Sequence, residues 1–166
     1  MCNRSRRPTL QQVTELGVLR SLIWAWRAAG QRIALVPTMG NLHDGHLALI
    51  EAAAAQADRV VATVFVNPTQ FGPGEDFTDY PRTLEQDRTA LESRTCDLLF
   101  APSVELMYPR GAHLSTVVDV PAVSEGLCGE SRPGHFRGVA TVVTQLLNMV
   151  HPMSRSLARK TFSNCW

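Results

Sequence analysis

Residues 32–67 read RIALVPTMGNLHDGHLALIEAAAAQADRVVATVFVN, and this stretch decides the fold. Ile33-Ala34-Leu35-Val36 is a short apolar run bounded by turn formers, the pattern of a buried strand over 32–37. Residues 47–57 are Ala-rich and predict a helix. Val60 to Val66 is apolar nearly throughout and predicts a second strand within 59–67. Neither strand alternates apolar with polar residues, so both of its faces must be covered, as in a parallel sheet. Strand, helix and strand within about 35 residues form a βαβ unit, whose crossover is right-handed.

Outward from this unit the alternation continues. Leu16, Leu19, Leu22, Ile23 and Trp26 recur at helical spacing and Gly30 is a stop, which predicts a helix over 16–30. Residues 68–82, rich in Gly, Pro and Asp, predict a loop. A helix is predicted over 83–94, with Leu84, Asp87 and Leu91 on a shared side, and strands over 96–100 and 116–120. Val139, Val142, Val143, Leu146 and Leu147 predict a last helix over 138–149. Alternating strands and helices give an α/β fold: a Rossmann-like open parallel sheet with flanking helices.

The 166 residues are 45% apolar and 19% charged, a globular composition that excludes a disordered chain, a coiled coil and a collagen-like repeat. The formal net charge of +1 supplies no global field for nucleic acid or an anionic membrane, so any anion must be held locally. No run approaches the ~18 apolar residues that span a bilayer, and residues 1–7 are basic without the apolar stretch of a signal peptide. Cys2, Cys96, Cys128 and Cys165 are scattered, without a Cys-x-x-Cys pair, and read as free thiols of a reducing, cytoplasmic protein.

In an open α/β sheet, ligands bind at the carboxyl ends of the strands. The segment after Val36 lies there. Gly40 permits a tight turn and lets backbone N–H groups approach an anion, and Gly45 keeps the start of the next helix free of a side chain. That helix N-terminus offers unpaired donors and a partial positive charge, a seat for phosphate. His43 and His46, three residues apart, share a face of its first turn and can aim at one phosphate group. Attack on the α-phosphate of ATP builds charge on non-bridging oxygens and on the pyrophosphate leaving group, which positioned donors stabilise and one can protonate. The alternative is that His43 is a cap and His46 a surface residue; a zinc site lacks a placed Cys or acidic ligand. Gln70, which taken alone reads as a solvated loop residue, follows the second strand into the same crevice, where a neutral amide can bond both a hydroxyl and a carboxylate. Asn67, at the strand end, is open between a turn starter and a ligand contact.

Residues 37–46 (PTMGNLHDGH) resemble the His-x-Gly-His signature of the adenylyl-transferring Rossmann superfamily. Residues 65–71 (FVNPTQF), 80–84 (YPRTL), 100–103 (FAPS) and 132–139 (RPGHFRGV) then follow in order, and together they resemble the pantoate–β-alanine ligase family over roughly residues 10–152. The resemblance implies a two-step reaction: (R)-pantoate carboxylate attacks the α-phosphate of MgATP to give pantoyl adenylate and pyrophosphate, and β-alanine then expels AMP to give pantothenate. It implies that Met39, Gly40, Asn41, Leu42, His43, Asp44, Gly45 and His46 bind ATP, with His46 as proton donor and His43 its partner on the phosphates. It implies pantoate and β-alanine contacts by Gln70, with Asn67 beside it and His135 as a site wall, and a cytoplasmic homodimer with no tightly bound cofactor. Arg132 and Arg137 flank His135 and stay open between helping an anionic substrate, shaping a subunit contact and forming a solvated loop. Arg82 is expected as a helix-start or salt-bridge residue, and Met39 and Phe71 as pocket walls.

The chain departs from the family after Pro152. The family continues with Gly-Glu-Lys-Asp and Phe-Gln-Gln and carries a further domain; here residues 153–166 read MSRSLARKTFSNCW, without helical or strand period. One permitted set of codons for that tail, preceded by the last base of a Pro152 codon and read in the shifted frame, spells Asp-Val-Ala-Leu-Leu-Gly-Glu-Lys-Asp-Phe-Gln-Gln-Leu-Leu. The expectation is an incomplete ATP- and pantoate-binding domain over 1–152 followed by a frameshifted, disordered tail, which the coding DNA across His151 to Met153 decides. Lys160 is then not the family's phosphate-binding Lys. Two other readings stand beside the ligase: a non-catalytic remnant that binds nucleotide weakly or only self-associates, and a nucleotidyltransferase for a phosphate acceptor.

Overall fold

Ile33 and Leu35 join one apolar core while Ala34 and Val36 join another, and all four are buried. This is what a strand covered on both faces requires. In the computed structural model, which describes residues 9–72, 77–121, 132–152 and 154–155, the sheet is five-stranded and parallel throughout. Its strands are β1 (Gln11–Val13), β2 (Ile33–Thr38), β3 (Arg59–Val64), β4 (Leu98–Phe100) and β5 (Ser154–Arg155), in the spatial order β1-β4-β3-β2-β5. The central pair is in register from Ile33 opposite Arg59 to Thr38 opposite Val64.

One face is covered by α1 (Leu16–Ala28) and α5 (His135–Val150). Leu19, Ile23, Val142, Leu146 and Val150 pack there on Ile33, Leu35, Val61, Leu98 and Phe100. The other face carries α2 (Asp44–Gln56) and α3 (Leu84–Glu92), whose Ile50, Ala53 and Leu91 meet Ala34, Val36, Val60, Ala62 and Leu99. Fully burying side chains of this size contributes about 1.5–3 kcal/mol each, so the two cores fix where the strand ends stand. A short α4 (Val104–Met107) and 3-10 turns at Pro68–Gln70 and Ala112–Leu114 complete the described elements.

Two expectations change, and the sheet has two edge strands that the sequence reading does not predict. Residues 116–120 form no strand: the Val118 N–H donates to Thr141 Oγ1 on α5 at 2.9 Å, so helix hydroxyl rather than sheet satisfies this segment. Helices α2 and α5 each start three residues earlier than the periodicity predicts, at Asp44 and His135, because His, Gly and charged residues interrupt the apolar period in their first turns. The edge strand β1 is too short and polar to show a period, with Gln11 and Gln12 exposed. Of residues 153–166, Ser154–Arg155 pair by backbone with Ala34 and Leu35 of β2, a sheet edge that accepts any extended chain. Cys2, Cys128 and Cys165 lie outside the described residues; Cys96 is a buried free thiol whose pKa burial pushes up to about 12.

Candidate functional site

The C-terminal ends of β2, β3 and β4 open onto a cleft of about 360 Å³. Met39 and Gly40 line it from the loop after β2, Val64 to Val66 from the end of β3, and Ala101 to Val104 from the turn after β4. Residues Phe77 and Pro81 to Leu84 close its remaining side, with Asp87 behind them. This is the crevice in which an open parallel sheet binds ligands.

His43 is the N-cap of α2. Its Nδ1 accepts the Gly45 N–H at 3.0 Å, while His46 Nδ1 faces the His43 N–H at 3.4 Å. The rings lie 4.1 Å apart, centroid to centroid, tilted by 47°. The cap that the alternative reading gave to His43 is therefore present. With Nδ1 facing a backbone N–H, a neutral imidazole carries its proton on Nε2, the nitrogen that can donate to an oxyanion. A Cβ on Gly45 would lie 2.8 Å from the His43 ring, so Gly at this position is what admits the cap. The positive end of the α2 dipole adds to the attraction for an anion.

The loop before the cap uses its own donors internally. Gly40 has φ +84° and Asn41 φ +52°, two consecutive left-handed residues. Gly40 N donates to Thr38 Oγ1, and Asn41 N and Leu42 N donate to the carboxylate of Asp87 at 3.0 and 2.7 Å. The amides of residues 40–42, expected to face an anion, are turned inward by these two side chains. His43 is exposed at the helix tip that follows.

Gln70 closes the 3-10 turn after β3 and is 8% exposed. Its Oε1 accepts from Asn67 Nδ2, and its Nε2 donates to the sulfur of Met39, so the Gln70 turn touches the loop after β2 directly. Asn67 is fully buried: it caps the turn by accepting from Thr69 N, donates to Gly138 O at 3.1 Å and accepts the Tyr108 hydroxyl at 2.7 Å. Of its two readings the geometry favours the turn. Burial raises the Tyr108 pKa. His135, on the first turn of α5, hydrogen-bonds Gln70 O through Nδ1 at 2.8 Å and has Arg132 Nη1 3.4 Å from its Nε2; it braces the Gln70 turn. Arg137 is exposed. Phe71 packs edge-on against Phe77 and Tyr80, which makes it a wall. Burial, then the charge of Asp87, raises the Tyr80 pKa. Arg82 neither starts a helix nor joins an ion pair among the described residues: it donates to the carbonyls of Phe77, Thr78 and Tyr80 and stacks over Phe77.

Asp87 and Tyr108 are the residues that sequence reading passes over. Asp87 left a signal, since it is a carboxylate sharing a helix side with Leu84 and Leu91, and a buried carboxylate needs donors. Tyr108 left none.

Residues 11–165 match the family model described as pantoate-beta-alanine ligase. The chain is 57% identical over 150 residues to the pantothenate synthetase of Chromohalobacter salexigens, a match covering 90% of this chain and 53% of that protein. It is 56% identical to that of Halorhodospira halophila, covering 92% and 54%. Among solved structures, pantothenate synthetase from Thermus thermophilus superposes with a TM-score of 0.80 at 48% identity, over 87% of this chain and 50% of that one. The pantoate-beta-alanine ligase of Francisella tularensis, complexed with beta-gamma ATP and beta-alanine, superposes at 0.82 and 37% identity, over 88% and 55%. The chain thus spans about half the length of the relatives it matches.

Proposed function

Since the chain belongs to the pantoate-beta-alanine ligase family, we propose that its cleft serves ATP-dependent condensation of pantoate with β-alanine. In this reading MgATP places its phosphates against the tip of α2. The pantoate carboxylate attacks the α-phosphate and pyrophosphate leaves; the β-alanine amine then attacks the acyl carbon and AMP leaves. His46 protonates the departing pyrophosphate and His43 donates beside it. Gln70 and its neighbours take pantoate and β-alanine, with Met39 between the two subsites. Residues 1–152 are the ATP- and pantoate-binding domain in this reading, and the enzyme is a cytoplasmic homodimer.

The observation that carries the reading is the pair of imidazoles 4.1 Å apart at the α2 tip, on the loop whose Met39 and Gly40 line the cleft and whose Met39 is bonded by Gln70. Pantoate-dependent exchange between ATP and labelled pyrophosphate tests it. Exchange with pantoate supports the ligase. Saturable ATP binding without exchange supports a nucleotide-binding chain that does not catalyse, and exchange only with a phosphorylated acceptor supports a nucleotidyltransferase. His46→Ala is expected to abolish exchange, a loss on the order of 100-fold or more; full rate in that variant overturns the role of His46.

A further inference from the structure

We infer that Asp87 is a positioning residue for the nucleotide seat, supplied by α3 from outside the loop it shapes; the inference rests on reading that loop as the place where ATP docks. The side chain is 2% exposed. Its two oxygens divide between consecutive amides, Oδ2 accepting from Asn41 N and Oδ1 from Leu42 N, and Thr83 Oγ1 donates to Oδ2 at 3.2 Å.

Gly40 and Asn41 are both left-handed, a path that glycine takes freely and Asn more readily than other side chains, and two such residues in succession turn the chain sharply. A Cβ on Gly40 would stand 2.9 Å from Asp87 Oδ2, so the carboxylate packs against the bend itself. By holding the two amides that follow the bend, it sets the direction in which the chain enters α2. Where the His43 ring stands follows from that direction. An unpaired buried carboxylate beside a triphosphate would repel it; the two N–H donors and the hydroxyl that take up this charge are what make Asp87 compatible with an anionic ligand.

The test compares MgATP affinity and the amide resonances of Asn41 and Leu42 in the full chain, in Asp87→Asn, which keeps one acceptor, and in Asp87→Ala, which keeps none. Ile23→Val, in α1 on the opposite face, serves as a core control. Asp87→Ala is expected to weaken MgATP binding on the order of tenfold, since the competent loop becomes a minor state, with Asp87→Asn between it and the wild type. Both variants should shift the two amide resonances upfield, and Ile23→Val should change neither affinity nor shifts at a temperature where all are folded. Wild-type affinity in a folded Asp87→Asn and Asp87→Ala overturns the positioning role while leaving the nucleotide site standing. Absence of saturable MgATP binding by the wild-type chain overturns the site reading and this role with it. If Asp87→Ala does not fold, Asp87→Asn alone decides.

Discussion

Gly138 is in van der Waals contact with the turn that carries Gln70, and replacing it with Ala measures how tightly α5 is seated on the site. The added Cβ would lie 2.4 Å from Thr69 O, 2.7 Å from Thr69 C and 2.8 Å from Gln70 Cα. These are backbone atoms, which cannot swing aside as a side chain can. Ordinary contact needs about 1 Å more, so helix and turn must separate. Overpacking of this kind costs about 1–3 kcal/mol. The separation also strains the hydrogen bond from Asn67 Nδ2 to Gly138 O, worth about 1 kcal/mol. Against this, Ala in a helix gains about 0.5–1 kcal/mol over Gly. The net expectation is a loss of about 1–3 kcal/mol, or roughly 3–10 °C in Tm for a chain of this size. Thermal unfolding followed by circular dichroism reads the loss. Gly17→Ala is the control: it too is helical, has nothing within 4 Å of its added Cβ, and is expected to raise Tm. If Gly138→Ala is as stable as Gly17→Ala, propensity outweighs the contact and the tight seating of α5 on the Gln70 turn is wrong.

Tyr108→Phe removes the hydroxyl that donates to Asn67 Oδ1, but leaves that oxygen the Thr69 N–H and hydroxyl, so the expected loss is about 1 kcal/mol, or about 2–4 °C in Tm; an unchanged Tm would show that the bond contributes nothing. Cys96, raised by burial from an ordinary 9.0 to about 12, is expected to resist alkylation at pH 8 in the folded chain and to react on unfolding, read by peptide mass spectrometry. The same shift has a sign for stability. Below 9.0 the thiol is neutral in both states; between 9.0 and about 12 only the unfolded chain releases its proton, so this residue makes stability fall as pH rises through that window. Rapid alkylation of Cys96 in the native chain would refute its burial.

The fold was legible wherever burial on both faces left an unbroken apolar run, as at Ile33 to Val36 and Val60 to Val64. It was illegible where a strand rests on pairing alone. Gln11–Val13 joins the sheet edge through the backbone of residues 98–100, and no side-chain period marks it. Residues 116–120 carry the opposite error, with strand-like composition and exposed Val117 and Val120 but hydrogen bonds to α5 in place of a ladder. The site divides in the same way. The bend at Gly40 and the cap at His43 could be read because turn chemistry and helix spacing are local. That Asp87 would turn the loop amides inward, or that Asn67 would be sealed beneath Tyr108, depends on elements 40 or more residues away.

The loop after β2 that lines the cleft and the Gln70 turn bonded to it are both held by something other than themselves, and by opposite sides of the sheet. The loop of residues 39–43 hangs on Asp87 of α3, which belongs to the core containing Leu91 and Ile50. The Gln70 turn hangs on His135 and Gly138 of α5, which belongs to the core containing Leu146 and Val150. The two meet where Gln70 reaches Met39. Packed cores shift little, so each loop inherits its position from the core behind it. A loop motif transplanted without its helix would lose the amide clamp and the left-handed bend together. The information that places the chemistry therefore resides less in the motif that announces it than in a carboxylate, a glycine and an imidazole on helices that flank the sheet.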